Sequence, residues 1–306
     1  PRAAPPPERR LRPRSRSRGP RRGRTTRPAC PTRPMPTRLR LFVCFAFALA
    51  LPAAPLAAQP AGGAAEPLFG ARDAWIAAGF VAGTAALFPL DAALAAHLQD
   101  SLPQRSRVLG GGAAAFRLLA HPGVLLVAGG LYTAGRLGDE PRLADAGLHT
   151  TEAVLVGLSA TYLLKVLTGR ARPQLDPTRP FDFRPGRGLG RDAYQSFPSG
   201  HTLVAFAAAA ALTEEIAHSR PEAKWWAGGL LYGGAALAGT SRMYHNRHWA
   251  SDVVMGAAIG SFSGWKVVRY NHTHPGNAAD ELLLHVAVAV SGGQMRLLAW
   301  PARERR

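Results

Sequence analysis

Uncharged apolar runs separated by isolated charges recur along this chain, at residues 74–90, 118–135, 153–164, 193–213, 225–241 and 253–265. None alternates with a period of two, and each is long enough to be a helix, so the pattern predicts six helices and an all-α bundle. Each run is rich in Ala and Gly, which let helices pack closely while adding little hydrophobicity. A spanning helix wants about 20 apolar residues. Several of these runs fall short of that, so a soluble exported bundle stands beside the first expectation, a transmembrane one.

Punctuation divides the rest. Residues 173–196 are rich in Pro and Gly with mixed charge and keep no helical period. That stretch is too long for an ordinary connection and is expected to cover a substrate site. Residues 214–224 form a short charged connection. Past Asn271 the sequence turns polar, and residues 283–300 alternate loosely about Gly292 and Gly293, which predicts a small hairpin.

The net charge of +18 is a property of the leader. Residues 1–34 hold twelve arginines against Glu8, Arg38 and Arg40 follow, and only +5 remains beyond Ala58. The basic balance therefore does not predict a nucleic-acid partner for the body of the chain. From Met35, a basic start, an apolar run at 41–51 and a small-residue exit read as a signal peptide cleaved after Ala58, with an uncleaved anchor as the alternative. The expected divisions are a leader at 1–34 outside the translated protein, a signal at 35–58, a linker at 59–73, a catalytic domain at 74–270 and a tail at 271–306. Cys30 and Cys44 both fall in the leader segments, so disulfide and thiol chemistry is not expected of the processed chain.

Polar clusters at the ends of apolar helices carry the candidate chemistry, because such residues are costly there unless they act. The first runs from Lys165 to Arg172 and Pro173, the second is Phe197-Pro198-Ser199-Gly200-His201, and the third runs from Ser241-Arg242 through His248 to Asp252. Singly, these could be snorkelling cations, a helix cap and a hydrogen-bonded pair four residues apart. If the fourth and fifth helices form a hairpin, all three clusters meet at one end of the bundle. Lys165, Arg172 and Arg242 then offer cationic donors to a tetrahedral oxyanion, and Ser199 and the backbone N–H groups of Ser199 and Gly200 add neutral ones. His248, with Asp252 holding its ring, fits a nucleophile, and His201 a general acid. There is no HExxH, cysteine pair or carboxylate constellation, so neither a metal site nor a cofactor is expected.

Together the segments Lys-x6-Arg-Pro, Pro-Ser-Gly-His and Ser-Arg-x5-His-x3-Asp resemble, without a gap, the three-part signature of the type 2 phosphatidic acid phosphatase (PAP2) superfamily, which also contains vanadium haloperoxidases. The resemblance implies a six-helix fold and a metal-independent phosphatase. Lys165, Arg172, Ser199, Gly200 and Arg242 would bind phosphate, His201 would be the acid, His248 the nucleophile and Asp252 its partner. It implies a phosphorylated lipid or small phosphate ester as substrate, a membrane setting and an extracytoplasmic site. A soluble acid phosphatase and, further off, a haloperoxidase are the alternative readings. One tension is internal: a cleaved signal leaves Gln59 outside, and three spans would then put the site inside.

Overall fold

The computed structural model describes residues 69–274, 286–291 and 294–299. The leader at 1–34 and the signal segment at 35–58 lie outside the described residues. The helices join into six rods. The first is α1 (Ala71–Leu87), a 3₁₀ turn at Phe88–Leu90 and α2 (Asp91–Leu98). After the single-turn α3 (Ser101–Arg105), α4 (Arg107–Leu118) and α5 (Val124–Leu137) form the second rod. It is broken at Pro122, where His121 leaves helical geometry (φ −154°, ψ 120°), the expected effect of a proline inside a helix. Then come α6 (Pro141–Thr168), α7 (Gly200–Ser219), α8 (Lys224–Tyr244) and α9 (Ala250–Thr273). Strands β1 (Val286–Ser291) and β2 (Gln294–Ala299) pair antiparallel as the expected hairpin.

The rods are longer than the uncharged runs that predicted them. The first three comprise 28, 31 and 28 residues and are long and apolar enough to cross a membrane. The runs undercount because His149, Lys165, Glu215 and Arg242 are helical residues, buried or paired, and do not mark helix ends. The fourth run errs the other way. Residues 193 and 194 belong to a 3₁₀ turn (Asp192–Tyr194), 195–197 are loop, and α7 begins only at Gly200, after Pro198 and the cap Ser199. The connection from α7 to α8 is likewise shorter than expected, a turn over Pro221–Ala223.

α7 is the central helix. It packs on α6, α8 and α9, and every residue from Thr202 to Ala211 is buried, as suits a helix apolar on all sides. α9 meets it through Gly256, Gly260 and Gly264, spaced four apart on one face. A Cβ on Gly256 would lie 2.5 Å from the Ser199 carbonyl oxygen, and on Gly260 and Gly264 it would strike the Leu203 and Ala207 carbonyls. Glycine is required here by backbone approach, the small-residue mode of helix packing. It also sets the height of α9 against α7, and so the relative positions of the two motifs at their N-termini. Around this core, Trp75, Leu126, Val127, Leu163 and Leu230 are exposed, and only 11% of the apolar window is buried in each of the first two rods.

Gly260→Val should destabilise the bundle, as overpacking costs about 1–3 kcal/mol. Gly233→Ala on α8, where an added Cβ meets nothing within 4 Å, should be neutral or stabilising by up to about 1 kcal/mol. Thermal unfolding in detergent measures both, and an unchanged Tm for Gly260→Val would contradict the packing described.

Candidate active site

The α7–α8 hairpin brings together the end of α6, the start of α7, the end of α8 and the start of α9. All three sequence clusters therefore converge. Lys165, Arg172 and Arg242 are close enough to repel one another electrostatically, and His201 lies within the same field of Arg242 and Arg172. One margin of the site is a buried ion network about Arg170, a residue inside the first sequence cluster to which the sequence assigned no role. Its five N–H donors are all used. Nε and Nη2 donate to the Pro180 carbonyl (2.9 and 2.7 Å), Nη2 to Asp91 Oδ2 (2.7 Å), and Nη1 to Ser251 Oγ (2.7 Å) and Asp252 Oδ1 (2.6 Å). The rings of Phe88 and Trp249 stand 4.6 and 5.4 Å from its Cζ. Asp91 was findable: an acid in the middle of an apolar rod needs a reason. Ser196, which donates to Asp252 Oδ2 at 2.5 Å, carried no signal in the sequence.

Local folding places these groups. α6 ends at Gly169, whose left-handed conformation (φ 55°) caps the helix onto the Lys165 carbonyl and turns the chain so that Arg170 points inward and Arg172 follows. At the other side, Asp252 Oδ2 accepts the Trp249 N–H at 2.8 Å, a cap bond that fixes the first turn of α9 behind His248. Trp249 Nε1 donates to the Ala171 carbonyl at 2.9 Å and locks the two segments together.

His248 is buried, and its partners fix its tautomer. Nδ1 donates to the Ser196 carbonyl at 2.7 Å, while Nε2 accepts from Arg172 Nη1 at 3.3 Å. A guanidinium can only donate, so Nε2 carries a lone pair on the side of the basic cluster. This corrects the expected role of Asp252. Its Oδ2 is 3.7 Å from Nδ1, beyond a hydrogen bond, because Ser196, Trp249 and Arg170 already use the carboxylate. Asp252 acts on the imidazole through Ser196 and by its charge. Burial takes the His248 pKa down from 6.5 to about 3, helped by Lys165 and Arg172 and opposed by Asp252. The ring is therefore neutral in the folded protein. As pH falls from 6.5, the unfolded chain gains a proton that the folded site refuses, so this group lowers stability on the acid side.

A second correction concerns the neutral donors. The Ser199 N–H donates to the Asp252 carbonyl at 3.0 Å, so it is not turned to a ligand. Ser199 Oγ accepts from Thr202 Oγ1 at 2.8 Å, which leaves its own hydroxyl hydrogen for another acceptor. The loop from 173 to 196 is wired into the cationic groups. The Gln195 carbonyl accepts from Lys165 Nζ, and Asp192 holds Arg172 Nη2 (2.7 Å) and Arg247 Nη2 (2.6 Å). Arg242 differs: its Nε is buried with no hydrogen-bond partner. His121, from the break in the second rod, sets its ring 5.6 Å from that of His201, a neighbour the sequence reading missed.

Arg170→Met would leave two carboxylates buried without their cation. The variant should lose about 3–5 kcal/mol of stability. Arg170→Lys keeps the charge with three donors in place of five, and should fall between. Unfolding in detergent measures the series, and a wild-type Tm for Arg170→Met would refute the role given to the network.

Residues 146–275 match the family model described as the PAP2 superfamily. Over 72 residues the chain is 44% identical to the lipid A 1-phosphatase of Porphyromonas gingivalis, a stretch that makes up 24% of this chain and only 15% of that protein. A solved structure, that of the first transmembrane PAP2 type phosphatidylglycerolphosphate phosphatase from Bacillus subtilis, matches 62% of this chain and 96% of its own at 21% identity and a TM-score of 0.34. The matched span contains all three motifs that the fold assembles into one basic, histidine-bearing site, and over that span the chain is similar to the PAP2 superfamily.

Proposed function

We propose that this protein is a phosphatase for phosphate monoesters or diphosphates carried by lipids, working through a phosphohistidine at His248 without a catalytic metal. The observation that carries the reading is the pairing of His248 Nε2, an unprotonated acceptor, with a cluster of three basic side chains in which the buried Arg242 Nε has no partner. Cations gathered at one point repel each other unless an anion joins them, and a phosphate does so with oxygens suited to guanidinium forks. The name of one relative, a lipid A 1-phosphatase that matches over 72 residues, supports a lipid substrate. So do the exposed apolar rods.

In this reading Lys165, Arg172, Arg242 and the Ser199 hydroxyl neutralise the phosphate oxygens. The Nε2 lone pair of His248 attacks phosphorus as the ester P–O bond breaks, and the electron pair leaves with the lipid oxygen. Burial and the Arg242 charge take the His201 pKa down to about 3, so the negative charge of the bound phosphate must raise it; the ring, protonated in that complex at the first turn of α7, then gives the leaving oxygen its proton. Asp252 and the Ser196 carbonyl then stabilise the phosphoimidazolium ring, and water, deprotonated by His201, attacks phosphorus to release phosphate. Charge neutralisation is supplied by side chains, so turnover should survive chelators. Pro173–Ser196 is proposed to select among substrates, since Arg172 and Lys165 are held by its residues.

His248→Ala should lower turnover by about 10³-fold or more, the scale of nucleophile losses. Rapid quench of wild type with labelled lipid phosphate should trap acid-labile, base-stable phosphate on His248. His201→Ala should slow this step less for aryl phosphates, whose oxygens leave without a proton. Turnover retained in His248→Ala would defeat the mechanism.

The catalytic end is proposed to face outward. Asp73 at the start of the first rod pairs with Lys266 near the end of α9, so Ala71 and the site lie at opposite ends of the bundle. Three spanning rods then require Ala71 to lie inside for the site to be outside, which is incompatible with removal of a signal just before it. With Cys30 and Cys44 replaced by Ser, a Cys introduced at Arg187 should react with an impermeant reagent in intact cells, and one at Arg220, at the far end, should not. The reverse pattern would place the site inside.

A further inference from the structure

The sequence shows no metal-binding spacing, but the fold assembles one far from the catalytic end. His149 near the start of α6, Glu215 near the end of α7 and His272 near the end of α9 bring their donor atoms within 4.8 Å of one another. His149 Nδ1 is 2.5 Å from Glu215 Oε1, and His272 Nε2 is 3.2 and 3.1 Å from the two oxygens of the same carboxylate. His149 and Glu215 are buried, while His272 stands at the surface and leaves a route of entry. These residues are 66 and 57 positions apart in pairs, so no local spacing announces them.

We propose that His149, Glu215 and His272 bind one zinc-class divalent ion, which ties α6, α7 and α9 together. Two imidazoles and one carboxylate on one side of an ion, with a further position open to solvent, suit a borderline first-row metal, whereas magnesium and calcium take oxygen ligands. Ligand atoms about 2.0–2.2 Å from such an ion stand about 3.3–3.5 Å apart, so the observed spacing needs side-chain adjustments on the order of an ångström. The competing account is a plain ion pair in which protonated histidines neutralise Glu215. The ring of His218 stacks on that of His272, with centroids 4.0 Å apart and planes 6° from parallel, and steadies it beside Glu215. His218 Nδ1 donates to the Glu214 carbonyl at 2.9 Å, which anchors the stacking ring.

The same three helices carry the catalytic motifs at their other ends. Along α7, Glu215 is fourteen residues from His201, about 21 Å at 1.5 Å per residue. An ion there cannot touch the reacting phosphate. It acts on the register of the helices, and binding releases any proton that the histidines hold.

The test uses the full chain in detergent, stripped with chelator and titrated with Co²⁺ alone. The expected result is one equivalent with the visible d–d absorption of a low-coordinate site, displaced by Zn²⁺, and a raised Tm. Losing a residue that only hydrogen-bonds a ligand weakens metal sites about 10–100-fold, so His272→Gln and Glu215→Gln should each weaken Co²⁺ binding at least that much. His97→Gln, at an exposed position elsewhere, should bind as wild type. His272 is surface-placed, so its variant decides the matter even if Glu215→Gln does not fold. Absence of stoichiometric Co²⁺ binding by the folded wild type, or binding undiminished in His272→Gln, overturns the proposal.

Discussion

The burial of one guanidinium governs this site. Arg170 sits beyond the reach of water with Asp91 on one side and Asp252 on the other, and desolvating three charges is tolerable only because every donor has an acceptor. The network gathers the first rod, the segment after α6 and the start of α9 at a single point. Asp91 lies outside the span that matches the family, yet it completes the pair of carboxylates that Arg170 needs. Shifting any of the three segments would strand a buried charge, so the network fixes where His248 stands.

The protonation of His248 follows from that placement. Asp252 is committed to Arg170, Ser196 and the Trp249 N–H, and the duty of orienting His248 falls to the Ser196 carbonyl. A carbonyl can only accept, so Nδ1 must carry the hydrogen and Nε2 the lone pair. Arg172 meets that lone pair from the side of the cationic cluster, and burial first, then the charges of Lys165 and Arg172, keep the ring from taking up a proton. A carboxylate bonded directly to the imidazole would have favoured the charged form.

Packing supplies the precision that these hydrogen bonds require. Gly256, Gly260 and Gly264 let α9 lie against the α7 backbone, so Ser199 and Asp252 share a direct hydrogen bond across the two helix starts. At the opposite end of these helices, His149, Glu215 and His272 form a second polar knot. In a bundle whose outer rods expose Leu, Val and Trp, such polar contacts and the glycine ridge distinguish one helix register from another, since apolar contact alone is indifferent to sliding.

Much of this could be read from the chain. Six apolar runs gave the number of rods, and three polar clusters at their ends gave Lys165, Arg172, Ser199, His201, Arg242, His248 and Asp252 as one site, because charged groups at such positions must be used. The pairing of β1 with β2 was legible from alternation. Helix lengths were not, since a charge that is paired across the bundle looks in sequence like a helix end. Nor was the orienting of His248: the motif places Asp252 four residues on, on the same helical face, and only the tertiary structure shows that carboxylate taken by Arg170. Residue type and spacing determined which groups could act. Which group holds which was decided by contacts between distant segments, Asp91 with Arg170, Ser196 with His248, His149 with Glu215, and sequence spacing carries no information about partners that meet only after the helices pack.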